Sequence, residues 1–191
     1  MLVKEKPNDK NLLGKYHSFK EIFNNESYKF THSIIIRKNI KELNNINIDK
    51  LYSKDIKLIA KKIFKKYNDK NIFINNGNKI IVTNRGIEES INKIFNSKKQ
   101  RAFLKEHLQI FSCLGKIIAH AKLVGQTKEN KNRKNIVLWS YYFDGLIINN
   151  EKYYFEFDVR TMDNGQNQYR VQRLETTKKI DISTRDVSNK Y

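Results

Sequence analysis

The chain has 191 residues, 39% of them hydrophobic and 12% aromatic, which suits a single domain with a real core and excludes a wholly disordered tail. It carries 38 Lys and Arg against 20 Asp and Glu, a formal net charge of +18 that favours a polyanionic partner. No apolar run approaches the roughly 18 residues of a membrane helix, and the lone Cys113 excludes an internal disulfide or a thiolate zinc cluster.

In chain order, residues 1–10 read as a loose polar start without the apolar core of a classical signal peptide. Leu12, Leu13, Tyr16, Phe19 and Phe23 are spaced for a short amphipathic helix over 11–30, and HSIIIRKN (32–39) reads as a strand. Ile56, Ile59, Ala60, Ile63, Phe64 and Tyr67 predict a helix over 50–67 whose opposite face is lined with lysines. IFI, NNGN and KIIVT (72–83) predict a hairpin, and Thr83 or Asn84 caps the helix that begins RGIEESINKIF. Residues 103–124 form the longest helical stretch, with Gly115 as its weak point. KLVGQTKENKNRKN (122–135) reads as a basic loop. VLWSYYF (137–143) reads as a strand that ends at Asp144-Gly145, LII (146–148) and KYYFEFDV (152–159) as a hairpin about an Asn149-Asn150-Glu151 turn, and QYRVQRLE (168–175) as a further strand after a turn at Asp163-Asn164-Gly165. The sum is an α+β protein: N-terminal helices packed on a C-terminal antiparallel β-meander of about four strands. The expected division is a basic helical preamble over 1–71 and an α+β domain over 72–191.

Charge is unevenly placed. Residues 1–70 hold 17 basic and 8 acidic side chains, residues 71–134 hold 13 and 4, and residues 135–191 hold 8 of each. Codon bias toward Lys, Asn and Ile would enrich Glu as well, yet the middle segment has only Glu88, Glu89, Glu106 and Glu129. The excess therefore points to phosphates, held by Lys61, Lys62, Lys65, Lys66, Arg85, Lys98, Lys99, Lys128, Lys131, Arg133 and Lys134.

His17, His32, His107 and His120 form no H-x-x-x-H or H-E-x-x-H pair, and the glycines form no phosphate loop, so neither a metal nor another cofactor is expected. Phosphodiester cleavage that uses the 2′-hydroxyl of RNA needs no metal. It needs a proton-transfer group and cations for the developing charge. His107 is the first choice for proton transfer, Arg101 and Arg173 for charge stabilisation, and His120, Tyr142 and Tyr169 are further candidates; Arg160 and Arg170 stand on the strands as well. Each has a plainer role available, as a core histidine, a helix-end cation or an ordinary sheet residue.

The element order resembles that of phage- and mobile-element-associated Barnase–EndoU–colicin–RelE-like nuclease domains. The stretches that carry the likeness are IIVTNRGIEESI (80–91), RAFLKEHL (101–108), LGKIIAHAKLV (114–124), WSYYFDGLIINNEKYYFEFDV (139–159) and YRVQRL (169–174). Together they span roughly 72–176. The resemblance implies helices on a four-stranded antiparallel sheet, metal-independent ribonuclease activity, a toxin or effector role and action in the bacterial cytoplasm. Its partners would be RNA in preference to DNA, or a ribonucleoprotein, with a cognate immunity protein or host target protein. One departure stands at Asn132-Arg133-Lys134-Asn135, where such domains often place a histidine before the first meander strand. The other reading of the same charge is a non-catalytic inhibitor that occludes a host complex such as an RNA-guided defence nuclease.

Overall fold

Apolar side chains at every second position give the last third of the chain its strands, and three to four residue spacing gives the middle its helices. The computed structural model describes residues 33–36, 40–44, 46–129 and 135–176. The first strand, β1, is Ser33–Ile36. Helix α1 (Ser53–Tyr67) follows, then the hairpin of β2 (Ile72–Asn75) and β3 (Asn78–Ile81). Four helices come next: α2 (Asn84–Phe95), α3 (Lys98–Arg101), α4 (Leu104–Phe111) and α5 (Leu114–His120). Strands β4 (Lys122–Lys128), β5 (Ile136–Ile148), β6 (Glu151–Met162) and β7 (Asn167–Thr176) complete the order. The expected helix over 11–30 and the tail beyond 176 lie outside the described residues.

The expected architecture of N-terminal helices over a four-stranded C-terminal meander is overturned. The seven described strands form one mixed sheet, curled into a half-barrel, and the helices sit mid-chain. The order is β1-β5-β6-β7-β3-β2, with β4 also on β5. β1 runs parallel to β5, from Ser33 opposite Gly145 to Ile36 opposite Ile148, and β3 runs parallel to β7. Strands of four residues give no sign of a partner 87 or 112 positions away, so their pairing is not written in local pattern.

Two further differences have physical reasons. Residues 122–128 form β4 rather than a loop, because the backbone of β5 offers an open edge and β4 needs no buried stripe to take it. Asp144-Gly145 is not a turn. β5 runs through it for 13 residues, with Asp144 opposite Phe155 and Gly145 opposite Tyr154 on β6. The expected hairpin turns stand at Asn76-Gly77 (φ 46° and 82°) and Asn149-Asn150 (φ 51° and 68°), the left-handed pairs that a two-residue hairpin requires.

The core lies between the helices and one face of the sheet. Ile56, Ala60, Ile63 and Phe64 of α1 join Ile87, Ile91 and Ile94 of α2, Leu108 and Phe111 of α4, and Phe155 and Phe157 of β6 in one cluster. Thr83 caps α2 by accepting from the Gly86 N–H at 3.0 Å. Helix α2 then lies so close to β7 that a side chain at Gly86 would meet the Tyr169 carbonyl. Gly115 likewise rests on the Phe73 ring, and the 103–124 stretch breaks into separate helices on either side of Cys113.

Gly86→Ala should cost about 1–3 kcal/mol, read by urea unfolding, because backbone has to move to admit the methyl group. A second expectation concerns Asp144, at the point where β4 and β1 meet on β5. Its Oδ1 accepts from the Gly145 N–H at 2.7 Å while Oδ2 is buried without a partner. Burial pushes the carboxyl up to about 6, against the Gly145 N–H and Lys122. The folded state therefore holds the proton more tightly, and stability from this group is lost as pH rises from the usual 3.8 through 6. Asp144→Asn should remove that part of the slope in unfolding measured from pH 4 to 7.

Candidate functional site

Strand β6 sends Tyr153, Phe155, Phe157 and Val159 into the core, so Glu156, Asp158 and Arg160 stand on the opposite face. All three are nonetheless buried. Burial of a charge is costly unless a partner meets it, and β7 supplies the partners. Arg173, opposite Glu156, donates from Nη1 to Glu156 Oε1 at 2.7 Å. Arg170 lies 3.5 Å from Asp158 Oδ2, and the Val171 N–H donates to Asp158 Oδ1 at 2.8 Å. Burial pushes Glu156 up to about 8, with Arg173 pulling the other way and Asp158 adding to the rise. Burial also raises Asp158, opposed by Arg170 and Arg173.

The neighbouring strands frame this face with aromatic and hydroxyl groups. The Arg170 guanidinium stacks 4.9 Å from the centre of the Trp139 ring, and Trp139 Nε1 donates to Glu129 Oε2 at 2.6 Å. Tyr141 Oη and Thr127 Oγ1 share a hydrogen bond at 3.1 Å. From α2, Glu89 reaches the rim of the face and takes three arginines: Arg85 Nε at 2.9 Å, Arg170 Nε at 3.1 Å, and Arg160 Nη1 at 3.2 Å from both of its oxygens. Arg160 Nε also donates to Gln168 Oε1 at 3.1 Å. Burial pushes the Glu89 carboxyl up, but the three arginines outweigh it and hold the group below the usual carboxylate range.

The candidates named from sequence are dispersed. Arg173 is on the carboxylate face. Tyr142 is on the core side of β5, stacked 5.1 Å from Phe157, and Tyr169 is fully buried with its hydroxyl donating to Gln172 Oε1 at 2.7 Å; burial raises both phenols. Arg101 covers the Phe95 ring at 4.3 Å, and His120 is exposed at the end of α5. Among the lysines, Lys61 pairs with Glu88, Lys66 with Glu42 at 2.7 Å and Lys99 with Glu175 at 2.6 Å, while Lys62, Lys65, Lys98 and Lys128 are exposed. Arg85 pairs with Glu89 on its own helix. Lys131, Arg133 and Lys134 lie outside the described residues. Among the described residues no three His, Cys, Asp or Glu side chains gather in a form that would hold a metal ion.

His107 lies within the core, between α4 and β7. Gln100 Oε1 already accepts from the Leu174 N–H at 2.7 Å, so His107 Nε2, 3.0 Å away, is the donor to it. Nδ1 then accepts from Gln172 Nε2 at 3.0 Å, which also donates to the His107 carbonyl at 3.2 Å. This fixes a neutral ring protonated at Nε2. Burial drives its pKa down to about 3, so His107 is held away from the proton exchange that the sequence assigned to it. Glu156, Asp158 and Glu89 are not among the candidates named from the sequence. The alternation in KYYFEFDV places Glu156 and Asp158 on one face, but nothing local brings Glu89 to strands more than 70 residues away.

His107→Ala should destabilise the fold by about 2–4 kcal/mol in urea, since it leaves a cavity and orphans Gln172. The pH dependence has a definite sign. The unfolded chain takes up the histidine proton near 6.5 and the folded chain only near 3, so stability from this group is lost as pH falls through that window. His107→Gln should lack that acid-side loss.

Residues 47–169 match the family model of the large polyvalent protein-associated domain 3. That span runs from the turn before α1 into β7; it includes Glu89, Glu156, Asp158 and Arg160 and ends just before Arg170 and Arg173. No curated protein and no solved structure matches the chain. The match is to this family and not to a nuclease family, and it supports the coarser part of the resemblance, an association with phages and mobile elements. With well over half of its length in the match, the chain belongs to the large polyvalent protein-associated domain 3 family.

Proposed function

We propose that this domain binds RNA by its positive field and cleaves it without a metal on the carboxylate–arginine face of the sheet. The observation that carries this reading is the pair of Glu156, a buried carboxyl raised to about 8, and Arg173, a guanidinium one third exposed and 2.7 Å from it. A carboxylic acid that keeps its proton at neutral pH is suited to protonate a leaving oxygen. In the reaction the 2′-oxygen forms a bond to phosphorus as the bond from phosphorus to the 5′-oxygen breaks. Glu156 gives its proton to the 5′-oxygen, the 2′ proton passes to water, and Arg173 offsets charge on the phosphorane. Exposed cations such as Lys62 and Lys65 on α1 would add to the field that draws the RNA to the protein.

The alternative is a non-catalytic binder that occludes a host ribonucleoprotein. It draws support from the matching of Arg160, Arg170 and Arg173 by carboxylates, and from His107 lying in the core.

Binding to RNA should tolerate sequence changes and weaken steeply with salt, as several phosphates are neutralised together. Incubation of RNA with the protein and a chelator should give 2′,3′-cyclic phosphate ends and leave DNA intact. The rate should fall as pH rises past about 8, where Glu156 loses its proton. Glu156→Gln should lower the rate by about 10²–10⁴ while RNA binding persists. Tight RNA or ribonucleoprotein binding with no cleavage under these conditions would replace the ribonuclease reading with the occluding binder. Salt-insensitive binding would remove both.

A further inference from the structure

Glu89 occupies an unusual position for a glutamate on the second turn of a helix. Three guanidiniums converge on its two oxygens, from Arg85, Arg160 and Arg170, at 2.9–3.2 Å. We infer that this is a phosphate seat held by the protein's own carboxylate, and that a phosphodiester of a bound nucleic acid displaces Glu89 from it.

The seat is built independently of its present occupant. Arg160 is 8% exposed and tied to Gln168 through Nε, so its remaining nitrogens stay aimed at the seat if Glu89 leaves. Arg170 is fixed by the Trp139 ring beneath it and by Asp158. Arg85, at 76% exposure, forms the open side. Guanidiniums preset in this way suit an oxyanion with two equivalent oxygens. A carboxylate and a phosphodiester each bring one negative charge and two such oxygens, so the exchange leaves the charge balance of the cluster unchanged. The three arginines outnumber Glu89 and Asp158 by one positive charge, and that charge draws the anion in. Glu89 itself is one quarter exposed, so its side chain has solvent to turn into. Its bond to Arg85 is a helix-surface pair of the weak i,i+4 kind.

The identity of the occupant as a phosphodiester of RNA rests on the proposed function; the existence of the seat does not. The full chain carrying Glu89→Gln tests the seat with inorganic phosphate as the probe. The variant should melt at a lower temperature than the wild type, with three guanidiniums short of their anion. Millimolar phosphate should restore most of that loss, while chloride at equal ionic strength should not. The same phosphate should raise the wild-type melting temperature by less than half as much, because Glu89 competes. Equal shifts in both proteins, or no shift beyond that of chloride, would overturn the seat. Should Glu89→Gln fail to fold in chloride, cooperative melting regained in phosphate supports the seat and its absence refutes it.

A second variant, Arg85→Gln, changes an exposed residue and keeps the fold. Its affinity for oligouridylate should fall about 3- to 10-fold, with the salt slope reduced by about one. Unchanged affinity and slope would overturn displacement by a phosphodiester, and phosphate rescue beside it would mark a site for free phosphate only. Success in both arms without RNA cleavage would leave the seat standing and remove the catalytic part of the proposed function.

Discussion

Burying Glu156, Asp158 and Arg160 on one face of β6 sets the terms on which the rest of the sheet is assembled. A charged group loses several kcal/mol of hydration there and a neutral carboxyl loses its hydrogen bonds to water, so the face holds together only if each of the three meets a partner. The register shift between Asp158 and Val159 answers part of that demand. It brings the Val171 N–H onto Asp158 and lets Arg170 reach both Asp158 and Glu89. Arg160 has no acid opposite it on the sheet, since Trp139 and Gln168 are its cross-strand neighbours. Its partner comes from α2, and α2 reaches it because Gly86 permits contact with the backbone of β7. The helix that packs Ile87, Ile91 and Ile94 into the core thus also supplies the partner of a charge on a strand.

The other face of the sheet solves a different problem, the open edge of β7. β3 pairs with β7 only at Asn167 and Gln168. Farther along, side chains take the place of a neighbouring strand. Gln100 accepts from the Leu174 N–H and donates to its carbonyl, and Ser90 accepts from the Gln172 N–H. The segment from α2 to α4 therefore stands where a further strand would pair, which is one reason the helices fall in the middle of the chain. His107 completes this seam by joining Gln100 to Gln172. A histidine in that role is valuable for having two ring nitrogens of opposite character, and protonation would break the Gln172 contact.

Local pattern carried the sequence reading a long way. The α1 stripe, the Asn76-Gly77 hairpin, the Thr83 cap and the alternation of β6 and β7 are all short-range signals, and the structure contains them. The architecture was not legible, because parallel pairing of β1 with β5 and of β3 with β7 joins distant residues whose periodicity carries no address. Asp144-Gly145 misled for a related reason. The dipeptide favours a turn in isolation, but β6 pairs across it on both sides and overrides that preference. At the site, Arg173 was visible as a basic residue on a strand, whereas its value depends on Glu156 directly opposite. His107 was chosen for its ordinary pKa, the one property that its surroundings remove.

The charge map of the sequence takes on a physical meaning in three dimensions. Residues 135–191 balance 8 basic against 8 acidic side chains. On the sheet that balance is local, for Arg173 stands against Glu156 and Arg170 against Asp158 within hydrogen-bond or ion-pair reach. Glu89 is brought in from the basic part of the chain, and it goes to the cluster where arginines are in excess. Residues 1–134 carry 30 basic against 12 acidic side chains, a net excess of 18. Net positive charge and locally balanced charge are therefore carried by different parts of one chain. A net positive excess attracts a polyanion over a Debye length of about 10 Å and is screened by salt. The matched pairs on the sheet contribute little to that attraction, but they hold Arg160, Arg170 and Arg173 in fixed positions.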